Sequence, residues 1–314
     1  MTELTLDFQN GAGYFSTKPT KVELIPVNSY KIHYEIHGNG PKKILFITGL
    51  MASMAGWEPI VHHFADLRGD EYSCLLIENR GFGFSTGNFG RFTTQGMAED
   101  AAAVLEHAGW NQPRSVHLAG ISMGGMISQE LALLLPDRFK SLSLLATCAK
   151  HVSPKNESPA ALRTIRSMFL NEHERLDNLF YTLFSDEEWM KSKPERFDYE
   201  SNYDKFMKTI PAQMKKRPAV GLTTFIGQGT GVLTHHVKED RLAKLGEHIP
   251  NVVAMTGTAD RLIDPSCTEH LAKHIGAKAA YFEGKGHGLP SESFTETLQE
   301  MLEVIHAGET RWAT

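Results

Sequence analysis

The chain has 314 residues, 41% of them hydrophobic, and a formal net charge of −5. That length and apolar content allow a large buried core, in one domain with an insertion or in two small domains. The acidic balance, with no basic run longer than Met214-Lys215-Lys216-Arg217, argues against a nucleic-acid partner; no stretch nears the roughly 18 apolar residues of a membrane span, and residues 1–13 are polar without an apolar signal core, so the expected location is the cytoplasm.

In chain order, residues 22–27 and 30–37 read as antiparallel strands that open a sheet, the second alternating in character. Residues 43–47 form a continuous apolar run, the pattern of a strand buried on both faces. A helix is predicted over 57–67, a strand over 72–77, a helix over 94–108 and a strand over 115–119. A helix then runs from Ser122 through Met126, Ile127, Leu131 and Leu134 to Pro136, followed by a buried strand over 141–146. This alternation implies a mostly parallel, doubly wound α/β sheet with helices on both faces.

The rhythm stops near Lys150. Apolar sets at helical spacing take over, such as Leu162, Ile165 and Phe169, then Leu176, Leu179, Phe180 and Leu183, with Pro194, Pro211 and Pro218 expected to break them into short pieces. Strands return at 251–255 and 279–282, and helices at 265–275 and 294–306. The expected division is a core of residues 1–150 and 247–314, with 151–246 a helical cap inserted over the sheet.

Gly120-Ile121-Ser122-Met123-Gly124-Gly125 lies where a strand turns sharply into a helix, the G-x-S-x-G nucleophile elbow. Side chains in place of its glycines would collide with the adjoining strand or helix, and the turn lifts the Ser122 hydroxyl to a helix N-terminus that favours negative charge. Gly83-Phe84-Ser85-Thr86-Gly87 fits the same pattern, but Asn88-Phe89-Gly90 follow and no helix begins, so Ser85 reads as a loop residue near the sheet's carboxyl edge.

Ligands of a doubly wound sheet bind at the carboxyl ends of its strands. The loop after residue 255 carries Asp260 and Asp264, and the loop after residue 282 carries His287 between Gly286 and Gly288. Serine is a weak nucleophile until a base takes its proton, and His287 can accept that proton and return it to the leaving group. A carboxylate fixes the imidazole tautomer. Asp260 lies within the loop, whereas Asp264 precedes Pro265 and suits the cap of the next helix, so Asp260 is the expected partner. The oxyanion needs two backbone donors, expected from Met123 and from Leu50 in the turn Thr48-Gly49-Leu50-Met51.

Three cysteines, Cys74, Cys148 and Cys267, do not make a disulfide framework, and they lack metal spacing. The adjacent pairs His62-His63 and His235-His236 face apart in strand or helix and make poor clamps, so neither metal nor cofactor is expected.

These residues resemble the α/β-hydrolase superfamily across nearly the whole chain, on Ile47-Thr48-Gly49-Leu50, Glu78-Asn79-Arg80-Gly81-Phe82-Gly83-Phe84-Ser85, the elbow, Thr256-Gly257-Thr258-Ala259-Asp260 and Gly286-His287. The elbow is similar to those of enol-lactonases, carbon–carbon bond hydrolases and small-ester hydrolases. The resemblance implies that Arg80 is structural, bonding loop carbonyls. The chain departs from the family's usual pattern with Thr48 where histidine is common, which leaves the backbone donor intact. Ser122 in place of an elbow aspartate rules against the family's dehalogenases and epoxide hydrolases, and the glycine-rich oxyanion motif of one large esterase group is absent.

The implied activity is cleavage of a small apolar ester, lactone or thioester, with Met51 and Met54 beside the acyl group. Met168, Phe169, Phe180, Tyr181, Phe184 and Trp189 of the insertion can line that site or fill the insertion's own core. An acyltransferase with the same triad, a carbon–carbon bond hydrolase and a non-catalytic binder are the rival readings. The oligomeric state is not set by these features.

Overall fold

The computed structural model describes residues 15–87, 92–152 and 170–313. Eight strands form the sheet: β1 (Lys21–Val27), β2 (Tyr30–Gly38), β3 (Lys42–Ile47), β4 (Tyr72–Ile77), β5 (Val116–Ile121), β6 (Phe139–Leu145), β7 (Val252–Gly257) and β8 (Lys278–Phe282). Their spatial order is β1-β2-β4-β3-β5-β6-β7-β8. β2 pairs antiparallel with β1 and β4, and all other pairs are parallel.

The central strands are apolar at both parities because both faces are covered. In β3, Leu45 and Ile47 join one core cluster, while Ile44 and Phe46 join the other. Helices α2 (Thr94–His107) and α3 (Met123–Leu134) close the first face through Ala101, Val104, Ile127 and Leu131. The second face is covered by a short helical run and by α11 (Phe294–Arg311), with Met54, Trp57, Met301 and Ile305 buried against the strands. Fully burying side chains such as Phe46 and Leu45 contributes about 1.5–3 kcal/mol each.

The helix expected over 57–67 is present with changing winding. A tight turn at Met54–Trp57 leads into α1 (Glu58–Val61), which widens at His62–Asp66, where Leu67 N–H reaches back to the His62 carbonyl at 3.1 Å. The predicted helix at 94–108 starts at a true cap, Thr93 Oγ1 accepting from Gly96 N–H at 3.0 Å.

Between β6 and β7 the described residues are helical: α4 (Glu172–Leu183), α5 (Glu187–Lys191), α6 (Asn202–Lys215), α7 (Leu222–Thr234) and α8 (Glu239–His248). Asn171 and Glu174 cap α4 reciprocally. Pro194 and Pro218 fall between helices, but Pro211 sits inside α6 instead of breaking it. A proline removes one backbone donor and leaves the other ladder bonds, and α6 is anchored by Tyr203 and Phe206 packing on Phe180. The boundary expected at residue 246 also moves. Val237, Leu242, Leu245 and Ile249 belong to the main core, so α8 is part of the sheet's helical layer and the insertion ends before it. The expected helical set Leu162, Ile165 and Phe169 lies outside the described residues, as do Met168, residues 1–13 and Asn88-Phe89-Gly90.

Helix α9 (Ser266–Ile275) joins β7 to β8, and α10 (Leu289–Glu292) leads into α11. No helix among the described residues is long and apolar enough to cross a membrane.

Candidate active site

The topology opens a crevice between β3 and β5. After β3 the chain crosses to β4 on one side, and after β4 it returns to β5 on the other. The loops leaving β3 and β5 therefore diverge, which is where ligands bind in such sheets. The β3 loop is Thr48-Gly49-Leu50, and the β5 loop is Ser122. The two touch: a Cβ at Gly49 would lie 3.1 Å from Ser122 Cβ and 3.6 Å from its Oγ.

Ser122 has φ 57° and ψ −124°, a region costly for a residue with a Cβ. Four bonds hold it there. Its N–H donates to the Leu145 carbonyl at 2.9 Å, and its carbonyl accepts from Gly125 N–H (2.9 Å), Met126 N–H (3.2 Å) and Thr147 Oγ1 (2.7 Å). The glycines are needed for close approach. A Cβ at Gly124 would collide with the Ile47 carbonyl, and one at Gly120 with Ser128 and the Gly124 carbonyl. Met123 is the first residue of α3, so its N–H has no partner within the helix. Among the described residues, the Leu50 N–H likewise donates no hydrogen bond.

Two buried amides set the turn after β3. Asn79 Nδ2 donates to the Thr48 carbonyl at 2.9 Å. Gln228, wholly buried in α7, accepts from the Met51 N–H at 2.9 Å and donates to the Arg80 carbonyl at 3.1 Å. Met51 has φ 54°, so this bond fixes a strained residue. Gln228 escaped the sequence reading, although a lone amide in the small, apolar run Gly227-Gln228-Gly229 was a usable sign. Arg80 makes a two-point pair with Asp100 at 2.6 and 2.7 Å and bonds the Gly96 carbonyl, a structural role. Burial raises the Asp100 pKa despite the opposing guanidinium. Ser85 donates to the Glu78 carbonyl at 2.6 Å and accepts from His33 N–H at 2.8 Å, so the decoy serine is a buried loop pin. Glu78 accepts from Phe84 N–H at 2.7 Å and faces His33 Nδ1 at 3.0 Å.

On the other side of the edge, His287 Nδ1 lies 2.7 Å from Asp260 Oδ2. Asp260 Oδ1 accepts from Leu262 N–H (2.7 Å) and Ile263 N–H (3.0 Å), which turns the carboxylate toward the ring. Asp264 instead accepts from Ser266 N–H at 2.9 Å and opens α9. Among the described residues, no hydrogen bond joins the Ser122 hydroxyl to His287.

The His287 loop is held by the insertion. The Leu183 carbonyl at the end of α4 accepts from His287 N–H (2.8 Å) and Gly288 N–H (2.9 Å). The buried Glu292 carboxylate accepts from Ser185 N–H (2.6 Å) and Asp186 N–H (2.5 Å) through one oxygen and from Gly286 N–H (2.5 Å) through the other. Burial pushes the Glu292 carboxyl upward, against backbone donors and Lys285, which favour its ionised form. Nothing in the local sequence marked Glu292, because two of its three partners, Ser185 and Asp186, lie in the distant turn between α4 and α5.

Met51 is partly exposed beside the turn, but Met54 is fully buried in the second core cluster. The expectation that Met54 contacts substrate is corrected: its side chain fills the core against α1 and the sheet. Phe180, Phe184 and Met190 make a cluster of their own, with Trp189, Tyr203 and Phe206 packed on it, so most of the insertion's aromatics stabilise the insertion. All three cysteines are buried free thiols. His235 is buried on Thr94 Oγ1 at 2.9 Å while His236 is exposed, so these neighbours do face apart.

A family model described as alpha/beta hydrolase fold matches residues 42–290. A rhodomycin D methylesterase of Streptomyces peucetius is 28% identical over 229 residues, covering 69% of this chain and 73% of that protein. Several other curated relatives share only 114 to 121 residues, which span 40–43% of their own length. An esterase structure from Thermogutta terrifontis superposes with TM-score 0.69 at 20% identity, covering 93% of this chain and 99% of that one. The enol-lactonase of Burkholderia xenovorans LB400 superposes with TM-score 0.69 at 19% identity, covering 90% and 100%. The sheet order, the strained serine between β5 and α3 and the match over residues 42–290 together make this chain a member of the alpha/beta hydrolase fold family.

Proposed function

We propose that this protein hydrolyses a small carboxylic ester, lactone or thioester through an acyl-enzyme on Ser122. His287 takes the hydroxyl proton and returns it to the leaving group, and Asp260 holds the imidazole with Nε2 free to act. The N–H groups of Leu50 and Met123 receive the developing oxyanion, each worth about 3 kcal/mol of transition-state stabilisation. The helical insertion serves as a cap over this edge, with Met51 as one wall of the acyl pocket.

The observation that carries the reading is the Asp260–His287 hydrogen bond, formed at the same sheet edge that carries the strained Ser122. The hydroxyl and imidazole tighten into contact when substrate binds, since catalytic hydrogen bonds are commonly looser in the free enzyme. The methylesterase relative makes methyl and other short alkyl esters the first class to assay.

The test is a panel of esters, lactones and thioesters run beside Ser122→Ala, with a fluorophosphonate as site label. Turnover should fall by on the order of 10⁴-fold or more in Ser122→Ala, and the label should map to Ser122. Retained turnover in that variant ends the proposal, and absence of labelling moves the reading to a non-catalytic binder. Ester formation with an added alcohol would instead identify an acyltransferase.

A further inference from the structure

The helical layer on the far side of β7 holds a second cluster of chemistry-bearing groups. His270 and His274 lie one turn apart on α9, their rings 4.5 Å between centroids. Glu239, at the start of α8, meets them, with its Oε1 3.7 Å from His274 Nε2. One ligand atom from each of the three residues lies within 4.8 Å of the other two. We propose that His270, His274 and Glu239 form a binding site for a divalent transition-metal ion of the zinc, nickel or copper class.

The donor set fits that class. Two imidazoles and one carboxylate suit borderline ions, whereas magnesium and calcium require mostly oxygen. Two ligands about 2.0–2.1 Å from a tetrahedral ion lie roughly 3.4 Å apart. The His274–Glu239 edge is already near that spacing, and side-chain rotation closes the rest. Imidazole ligates in its neutral form. A cleft of about 760 Å³ lined by His236, Glu239, Asp240 and His270 adjoins the cluster and gives an ion access. The fourth position of such a site is open to water or to a further side chain.

An ion held here ties α8 to α9. Helix α9 begins directly after the Asp260 loop, where Asp264 bonds its first N–H. The site would therefore brace the segment that carries the proposed orienting acid, without touching the elbow. It differs from the adjacent histidine pairs considered in the sequence because its spacing is four residues, which puts both rings on one helical face.

The experiment is calorimetric titration of tag-free, chelator-treated protein with Zn²⁺ and, separately, Co²⁺ as an optical probe. One ion per chain should bind, with visible cobalt bands of a low-coordinate nitrogen and oxygen site. His270→Ala and His274→Ala should each weaken binding about tenfold or more. Glu239 is 68% exposed at its side chain, so Glu239→Gln keeps the fold and should also weaken binding measurably. His236→Ala should leave the affinity in place, and excess Mg²⁺ should not compete. Absence of saturable binding, or an affinity unchanged in His270→Ala/His274→Ala or in Glu239→Gln, overturns the site.

Discussion

Around Ser122, the close neighbours belong to the sheet and its first helices. The Ile47, Thr48 and Leu145 backbone and Thr147 surround the elbow, and its glycines allow backbone to meet backbone. Around His287, Asp260 of the β7 loop holds the ring, and the insertion holds the backbone. The Leu183 carbonyl and the Glu292 bracket on Ser185 and Asp186 hold the loop. The proposed nucleophile is thus fixed by the part of the molecule with the largest core, and the proposed base leans on a helical segment with a small core of its own. Segments with few buried contacts open at lower free energy than central strands. In this chain, therefore, the position of His287 depends on the insertion far more than the position of Ser122 does.

One substitution made at two places tests that contrast most strongly. Gly124→Ala drives a Cβ into the Ile47 carbonyl of the central sheet, so it should destabilise the whole fold by on the order of 3–5 kcal/mol. Gly286→Ala places a Cβ 2.6 Å from the Leu183 carbonyl. It should displace the loop from the insertion, with turnover down about a hundredfold for a shift near 1 Å and a melting temperature close to the parent's. Thermal melts and ester assays on both variants decide the matter. Equal losses of melting temperature would erase the distinction between the two anchors.

Acid should weaken the other attachment of the insertion. His235 closes α7 and bonds Thr94 of α2. Burial holds its pKa down at about 4 from the usual 6.5. The unfolded chain binds this proton first as pH falls, so the histidine's contribution to stability is present above pH 6.5 and lost progressively toward pH 4. The full effect is at most about 3 kcal/mol. Urea melts across that window should show a steeper decline for the parent than for His235→Gln. Parallel curves would show that the buried ring does not set the slope.

The smallest effect is expected where the insertion touches the Ser122 side. Gln228→Ala removes the acceptor of the Met51 N–H and the donor to the Arg80 carbonyl. Leaving such groups unsatisfied costs about 1–3 kcal/mol, and turnover should drop about tenfold with KM little changed. Gln228→Glu keeps the acceptor and should recover part of the rate. A change confined to KM would place Gln228 in substrate binding instead of turn geometry.

Much of the fold was legible because its rules are local. Strands buried on both faces show as continuous apolar runs, and the elbow shows as small residues around Ser122. Asp260 was separable from Asp264 because a residue before proline at a helix start has its own task, and Asp264 does bond Ser266 N–H. What escaped depends on tertiary contact. Glu292 and Gln228 bind backbone groups more than one hundred positions away in sequence, Glu292 reaching Ser185 and Gln228 reaching Met51 and Arg80. Met54 was assigned to a pocket because nothing in its neighbours distinguishes a wall from a core. Pro211 was read as a breaker, but the packing of α6 on Phe180 outweighs one lost bond.

The backbone at Ser122 has a further consequence for anyone who redesigns this chain. Its φ of 57° is a conformation that glycine adopts without strain and that costs a serine about 1–3 kcal/mol. A procedure that scores sequences by how well they fit the backbone would therefore favour glycine at 122 and delete the hydroxyl. Thermostabilisation of this molecule has to hold that position fixed from outside the energy function.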